Sequence, residues 1–201
     1  MGSLPVPARA STIRSGSAAT GCTSGPLPSR GRAQHGLEGG AVNESTPVVE
    51  ESLANIGATI MGRNMFGGHP GPWDPKKPWN GWWGVNPPYH HPVFVLTHYA
   101  REPLGLEGGT TFTFVTDGIE TALEQARRVA GGKDVSLAGG ASAGQQYLAA
   151  ALVDEMEISV VPTLLGSGER LFDGVGDDLH GLEVVRTVAA PKVTHLKFTR
   201  R

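Results

Sequence analysis

From Glu38 onward the chain alternates short apolar runs with longer amphipathic ones. Ala58–Met61, Val93–Thr97, Thr111–Thr116 and Asp134–Ala138 are too short for helices and are bounded by polar or Gly/Pro residues, so they read as buried strands. Glu155–Val161 alternates with the strand period and makes a fifth. Leu182–Ala189 and Val193–Thr199 flank Ala190–Lys192 as a terminal hairpin. Helical spacing fills the intervals. Val49, Leu53 and Ile56 share a face behind Thr46, which is placed to cap, and Pro47, which suits a first helical position; Gly57 is the stop. In Gly118–Ala130, Ile119, Leu123, Ala126 and Ala130 form one stripe that Gly131 ends, and Ser142–Leu152 carries Leu148, Ala151 and Leu152 on one side. Strands alternating with helices predict an α/β sandwich with a mostly parallel sheet, made mixed by the closing hairpin.

Two stretches break the rhythm. Residues 67–92 are rich in Gly and Pro and hold all four tryptophans, Trp73, Trp79, Trp82 and Trp83. Proline disfavours helix and central strand, so the expectation is a long loop that acts as a lid. Residues 1–36 hold few large apolar side chains (Leu4, Val6, Ile13 and Leu27 beside Met1) and carry Arg9, Arg14, Arg30 and Arg32 with no Asp or Glu. So little apolar surface cannot offset the entropy of ordering. The segment reads as a disordered tail or a replaced start, with a transit peptide as the alternative; the domain is expected over 37–201.

Composition narrows the function. A net charge of −2 over 201 residues gives no global basic field for nucleic acid, and Lys76 and Lys77 beside the tryptophans are too few for a single-strand groove. No apolar run approaches the ~20 residues that span a bilayer. The single cysteine, Cys22, allows neither an internal disulfide nor a cysteine zinc site, and the histidines have no ligand spacing, so no metal is expected.

Three strand ends carry candidate chemistry. Met61-Gly62-Arg63-Asn64-Met65-Phe66 places a glycine and a cation where a strand turns into a helix, which suits a phosphate; a plain turn with a solvated arginine is the alternative. Leu137 through Gly144 runs strand, Gly139-Gly140, helix, with Ser142 as candidate cap and free N–H groups behind it. Thr97 and His98 end another strand. Ligands of open α/β sheets sit beyond such carboxyl ends. Pro162–Phe172 is a glycine-rich loop that lines a pocket or crosses an edge.

In combination these residues are similar to a known family. Gly62-Arg63-Asn64-Met65-Phe66 resembles the Gly-Arg-x-Thr-Trp segment of dihydrofolate reductases, and Ala138–Gly144 their Gly-Gly cofactor turn. Leu152–Ile158 and Pro162–Phe172 resemble the C-terminal reductase domain of the bifunctional riboflavin-synthesis deaminase-reductase and its stand-alone relatives; the likeness covers about residues 37–201. It implies a three-layer α/β/α dihydrofolate-reductase-like fold that binds NADPH. Arg63 would meet the adenosine 2′-phosphate, Gly62, Asn64 and Met65 would lie along the phosphates, and Thr97 and His98 would flank the adenosine. Gly139, Gly140, Ala141, Ser142, Ala143 and Gly144 would hold the pyrophosphate. Trp73 and Glu169 are the substrate-side candidates, and no catalytic proton donor is named. The implied activity is an oxidoreductase of the 5-amino-6-(5-phosphoribosylamino)uracil reductase or dihydrofolate reductase kind, bacterial and cytoplasmic, acting on a pterin- or pyrimidine-like molecule. A catalytically impaired nucleotide-binding remnant of the fold and a protein-interaction module are the alternatives, with a homodimer left open. Two departures stand out: Ala138 lies near the place of a substrate-contacting Glu in the riboflavin branch, and the family's first strand with its Asp-Gly turn has no counterpart in residues 1–36.

Overall fold

The structure, a computed structural model, describes residues 12–14 (backbone), 42–69, 71–176 and 181–201. In chain order the elements are β1 (Thr12–Arg14), α1 (Ser45–Leu53), β2 (Ile56–Gly62), α2 (Arg63–Phe66), β3 (Pro92–Leu96), β4 (Leu104–Gly105), β5 (Thr111–Val115), α3 (Gly118–Ala130), β6 (Asp134–Leu137), α4 (Ala141–Ala149), β7 (Glu155–Val160), β8 (Leu182–Ala190) and β9 (Val193–Arg200). The strands form one sheet in the order β4-β5-β3-β2-β6-β1-β7-β9-β8. The run from β5 to β7 is parallel, and β4 and the β8–β9 hairpin add the antiparallel members.

The two faces of the sheet are covered differently. On one face α3 and α4 bury Ala122, Leu123, Ala126, Tyr147 and Leu148 against Ala58, Ile60, Phe94, Val135 and Leu137. This face follows from the helical stripes, and α3 keeps the bounds that its stripe predicts. The other face presents Met61, Val93, Val95, Phe112 and Phe114, and among the described residues no long helix packs on these five. Instead Phe66, Trp73, Trp83, Tyr89 and Leu104 pack there. The indole of Trp83 stacks on Phe112 with centroids 5.8 Å apart, and Phe66 meets Phe112 edge-on at 5.2 Å. The expected lid is therefore a wall. Trp73 and Trp83 take the place of a helix over this part of the sheet, because aromatic side chains bury large apolar area without regular backbone.

Polar staples hold this second face. His91 Nε2 and the buried hydroxyl of Thr59 are 2.7 Å apart. Further along, α1 lies over β7 to β9. His195, buried, bonds Ser45 at Nε2 (2.8 Å) and Ser159 at Nδ1 (2.9 Å), and Glu51 bridges Lys197 and Arg186. Burial, then the charges of His90 and Lys133, push the His91 ring down to about 4. Burial, then Arg186, also lowers His195, so both imidazoles are neutral staples at pH 7.

The structure corrects the sequence reading in three places. Thr46 is not the cap of α1; Asn43 Oδ1 accepts the Ser45 N–H at 2.9 Å, and Thr46 Oγ1 accepts the Asn43 N–H at 3.0 Å. Ile56 belongs to β2 and not to the helix, because Asn55 is drawn to β6 through its carbonyl and its side-chain amide, both bonded to Asp134. The third is the first strand, which is present: Thr12 and Ile13 pair with Ser136 and Leu137 on one side, and Thr12–Arg14 with Glu155–Glu157 on the other. Three residues are too few to show alternation, so the strand is identified by its neighbours' ladders and not by its own pattern. The rest of the expected tail, with its targeting alternative, lies outside the described residues.

Two outcomes follow for stability. Ile13→Pro removes a donor from the ladder between β6 and β7 and lowers unfolding free energy by about 1–3 kcal/mol in urea titration, as for an unsatisfied buried backbone group. A histidine at about 4 when folded and about 6.5 when unfolded makes the unfolded chain the better proton binder between those values. Stability is therefore intact above pH 6.5 and lost as pH falls toward 4. His91→Gln flattens that slope, measured as the change in urea midpoint between pH 7.5 and 5.

Candidate functional site

Parallel register brings the carboxyl ends of β2, β3 and β6 to one edge. Gly62 pairs with Leu96 and Ile60 with Leu137, so Gly62, Thr97 and the Gly139–Gly140 turn emerge side by side. A direct bond joins two of them: the Gly62 N–H donates to the Gly139 carbonyl at 2.7 Å. A Cβ built on Gly62 would stand 3.6 Å from the Gly140 nitrogen and 3.5 Å from the Ala143 methyl. Gly139 has φ +111°, a conformation that side chains disfavour, and the space a Cβ would enter is open. The Gly139–Gly140 peptide is cis.

Helix α4 starts against this turn. Gly140 is its N-cap residue in extended backbone, so Ser142 is a second helical residue, exposed, and not the cap. The first-turn N–H groups of Ala141, Ser142 and Ala143 have no intrahelical acceptor. Ala141 N–H points to Glu169 Oε2 at 3.4 Å, brought in by the loop after β7; Gln145 donates to the Arg170 carbonyl at 2.6 Å and fastens that loop. Ala143 and Gly144 turn inward instead. Gly144 N–H is spent on the Gly140 carbonyl, and its missing Cβ makes room for Leu171, which would otherwise stand 2.9 Å away. Residues 140–144 also spell Gly-x-Ser-x-Gly, a pattern that signals a nucleophilic serine in other folds. Ser142 sits in regular helix with no imidazole within hydrogen-bond reach among the described contacts, so the elbow chemistry is not built here.

Arg63 follows Gly62 directly and opens α2. Its guanidinium lies 3.7 Å from the Trp73 ring centroid and donates to the His69 carbonyl at 2.9 Å, while its buried Nε has no partner. Burial, then the charge of Arg101, lowers its ordinary value without removing its charge. Asn64 is exposed and Met65 half-buried. The Met65 and Phe66 carbonyls accept the indole N–H groups of Trp82 (3.0 Å) and Trp79 (2.9 Å), and Trp73 donates to the Tyr99 carbonyl at 2.8 Å. Thr97 is buried, its hydroxyl accepting the Tyr99 N–H at 3.2 Å, and His98 is exposed. Of the substrate-side candidates, Glu169 meets the Gly139–Gly140 corner, whereas Trp73 stands beside Arg63.

Gly62, Thr97 and the Gly139–Gly140 turn thus share one edge, while Ala143 and Gly144 serve packing and Trp73 belongs to the wall. These residues fit a phosphorylated dinucleotide on three observations: an orphaned arginine nitrogen, an open space above Gly139, and free N–H groups at the start of α4. The Glu169 carboxylate occupies one of those donors as an internal anion. What sequence reasoning missed is Arg101, whose guanidinium also approaches Trp73, at 5.0 Å. Its only signal was a cation shortly after a strand end. Among the described residues no group of His, Cys, Asp and Glu could hold a metal ion, and no helix is long and apolar enough to cross a membrane.

Comparison with known proteins agrees with this architecture. The chain superposes on a putative riboflavin biosynthesis protein from Shewanella sp. PV-4 with a TM-score of 0.53 and 19% identity, over 96% of this chain and 97% of that one. Acinetobacter baumannii RibD gives 0.55 at 16% identity, covering 96% of this chain and 57% of its own. The Thermotoga maritima diaminohydroxyphosphoribosylaminopyrimidine deaminase/5-amino-6-(5-phosphoribosylamino)uracil reductase gives 0.51 at 13%, with 96% and 56% covered. At these identities the likeness is one of fold, and the chain spans little more than half the length of the two bifunctional-size proteins. No curated protein sequence matches. The profile of the RibD C-terminal domain matches residues 29–196, most of the chain and all the strand ends described above, and the chain belongs to that family.

Proposed function

We propose that the chain is an NADPH-dependent reductase of a pyrimidine- or pterin-like small molecule. The observation that carries this is the Gly62–Gly139 hydrogen bond, which ties the Arg63 loop to the Gly139–Gly140 turn on one edge. Two phosphate-suited loops, held together and flanked by Thr97, match the charged spine of a dinucleotide better than a single phosphate.

In this reading Arg63 faces the 2′-phosphate with its unpartnered Nε, and the backbone of Gly62, Asn64 and Met65 runs along the phosphates. Thr97 and His98 close the adenosine end. Gly139, Gly140, Ala141 and Ser142 receive the pyrophosphate, the Glu169 carboxylate yielding the Ala141 N–H. Ala143 and Gly144 support the turn from behind. The bound dinucleotide supplies the hydride; the chain orients it and keeps water away. Family membership and the name of the Thermotoga protein support the substrate class. Ala138, which offers no carboxylate, favours a ring other than the riboflavin-branch pyrimidine. The chain is read as acting in the cytoplasm, on a small molecule and not on nucleic acid.

Titration with NADPH quenches emission of the tryptophan wall, and Arg63→Ala weakens NADPH about 10- to 100-fold while leaving NADH nearly unchanged, as for one charge-assisted contact. Equal loss for both cofactors removes Arg63 from the phosphate site. NADPH oxidation with a panel of pterins and pyrimidines then separates a working reductase from a nucleotide-binding remnant.

A further inference from the structure

A cavity of about 270 Å³ opens where the loop 67–92 meets the segment after β3, lined by Arg63, Trp73, Lys77, Trp79 and Arg101 among others. Two guanidiniums share one aromatic ring here: Arg63 is 3.7 Å and Arg101 5.0 Å from the Trp73 centroid, and Arg101 also lies 5.1 Å from Phe114. Their hydrogen-bond partners are neutral. Arg63 bonds the His69 carbonyl, and Arg101 bonds the Trp79 carbonyl and the Asn80 side-chain oxygen. Asp74 and Glu102 line the cavity, yet neither forms an ion pair with either guanidinium among the described contacts.

This differs from how the fold treats cations elsewhere. Arg186 and Lys197 are each bound to carboxylates, Glu51 with Glu157 or Glu155. Burial lowers Arg101 from its ordinary value, and burial together with Arg101 lowers Arg63, whereas Arg186 and Lys197 are raised. Holding two like charges on one ring without a counterion is unfavourable, and a dianion between them reverses the sign of that interaction. Cation–π contact keeps both planes oriented without using up their N–H donors.

We propose that Arg101 is the second cation of a phosphomonoester site shared with Arg63, and that it sets the preference for a nucleotide bearing a 2′-phosphate over one without. The proposal rests on the dinucleotide reading above and assigns to Arg101, Trp73 and Lys77 a recognition role that no strand-end motif indicated. The dianion enters the cavity, its oxygens taking the free N–H groups of Arg63 and Arg101. Lys77 supplies the outer charge.

The test titrates 2′-AMP, 5′-AMP, inorganic phosphate, NADPH and NADH against tryptophan emission and melting temperature, in wild type and Arg101→Gln. The expected result is that 2′-AMP binds more tightly than 5′-AMP, with affinity falling as salt rises. Arg101→Gln weakens 2′-AMP about tenfold or more and lowers the NADPH-over-NADH preference by a similar factor. Inorganic phosphate matching 2′-AMP overturns the nucleotide assignment and makes the site one for the free ion. No quench or melting shift with either 2′-AMP or phosphate in wild type overturns the site whatever the variant does, which covers a variant that fails to fold. NADPH binding without preference over NADH, unchanged in a normally melting Arg101→Gln, sinks the Arg101 role and leaves the dinucleotide reading standing. Binding of 2′-AMP without binding of NADPH does the reverse.

Discussion

One backbone hydrogen bond, from the Gly62 N–H to the Gly139 carbonyl, decides the shape of the functional edge. Parallel strands deliver their following loops to the same side, but they do not make those loops touch. Here the last residue of β2 bonds beyond the end of β6, so the turn after one strand and the turn after its neighbour become a single surface. Only Gly139 needs to be glycine, because its backbone conformation is one that L side chains resist; a Cβ at Gly62 would stand in ordinary contact with the Ala143 methyl and the Gly140 nitrogen.

The other face of the sheet shows a second constraint. The face carrying Val93, Val95, Phe112 and Phe114 has to be covered, and the segment between α2 and β3 contains too many prolines and glycines to do so as a helix. Tryptophans solve this by packing their rings on the sheet and donating their N–H groups to the backbone of α2 and of the segment after β3. The same wall brings Trp73 against Arg63 and Arg101. Covering the core and orienting the cations are thus one arrangement, and the loop's apparent irregularity is the cost of serving both.

Most of the sheet was legible from periodicity, because buried strands are short apolar runs and α3 has an unbroken stripe from Ile119 to Ala130. The gathering of Gly62, Thr97 and Gly139–Gly140 at one edge was legible too, since parallel strands deliver their following loops to the same side. Three things were not. The strand Thr12–Arg14 has no period of its own. The cap at Asn43 depends on a reciprocal bond with Thr46 that only the folded backbone reveals. The inward turn of Gly144 toward Leu171, and the approach of Arg101 to Trp73, are contacts across distant sequence, and no local pattern encodes them.

The position of β1 has a consequence for how the chain assembles. Its partners, Ser136–Leu137 and Glu155–Glu157, lie more than a hundred residues downstream. During synthesis the β2–β3–β5 half can form from nearly local contacts, while β6 and β7 have no bridge until the opening segment returns to fill the slot between them. Loop closure over that separation is slow relative to local pairing, so insertion of Thr12–Arg14 belongs to the late stage of folding. Until then two strand edges stand open at the centre of the sheet, which makes this slot the point where a nascent chain meets chaperones or its own neighbours.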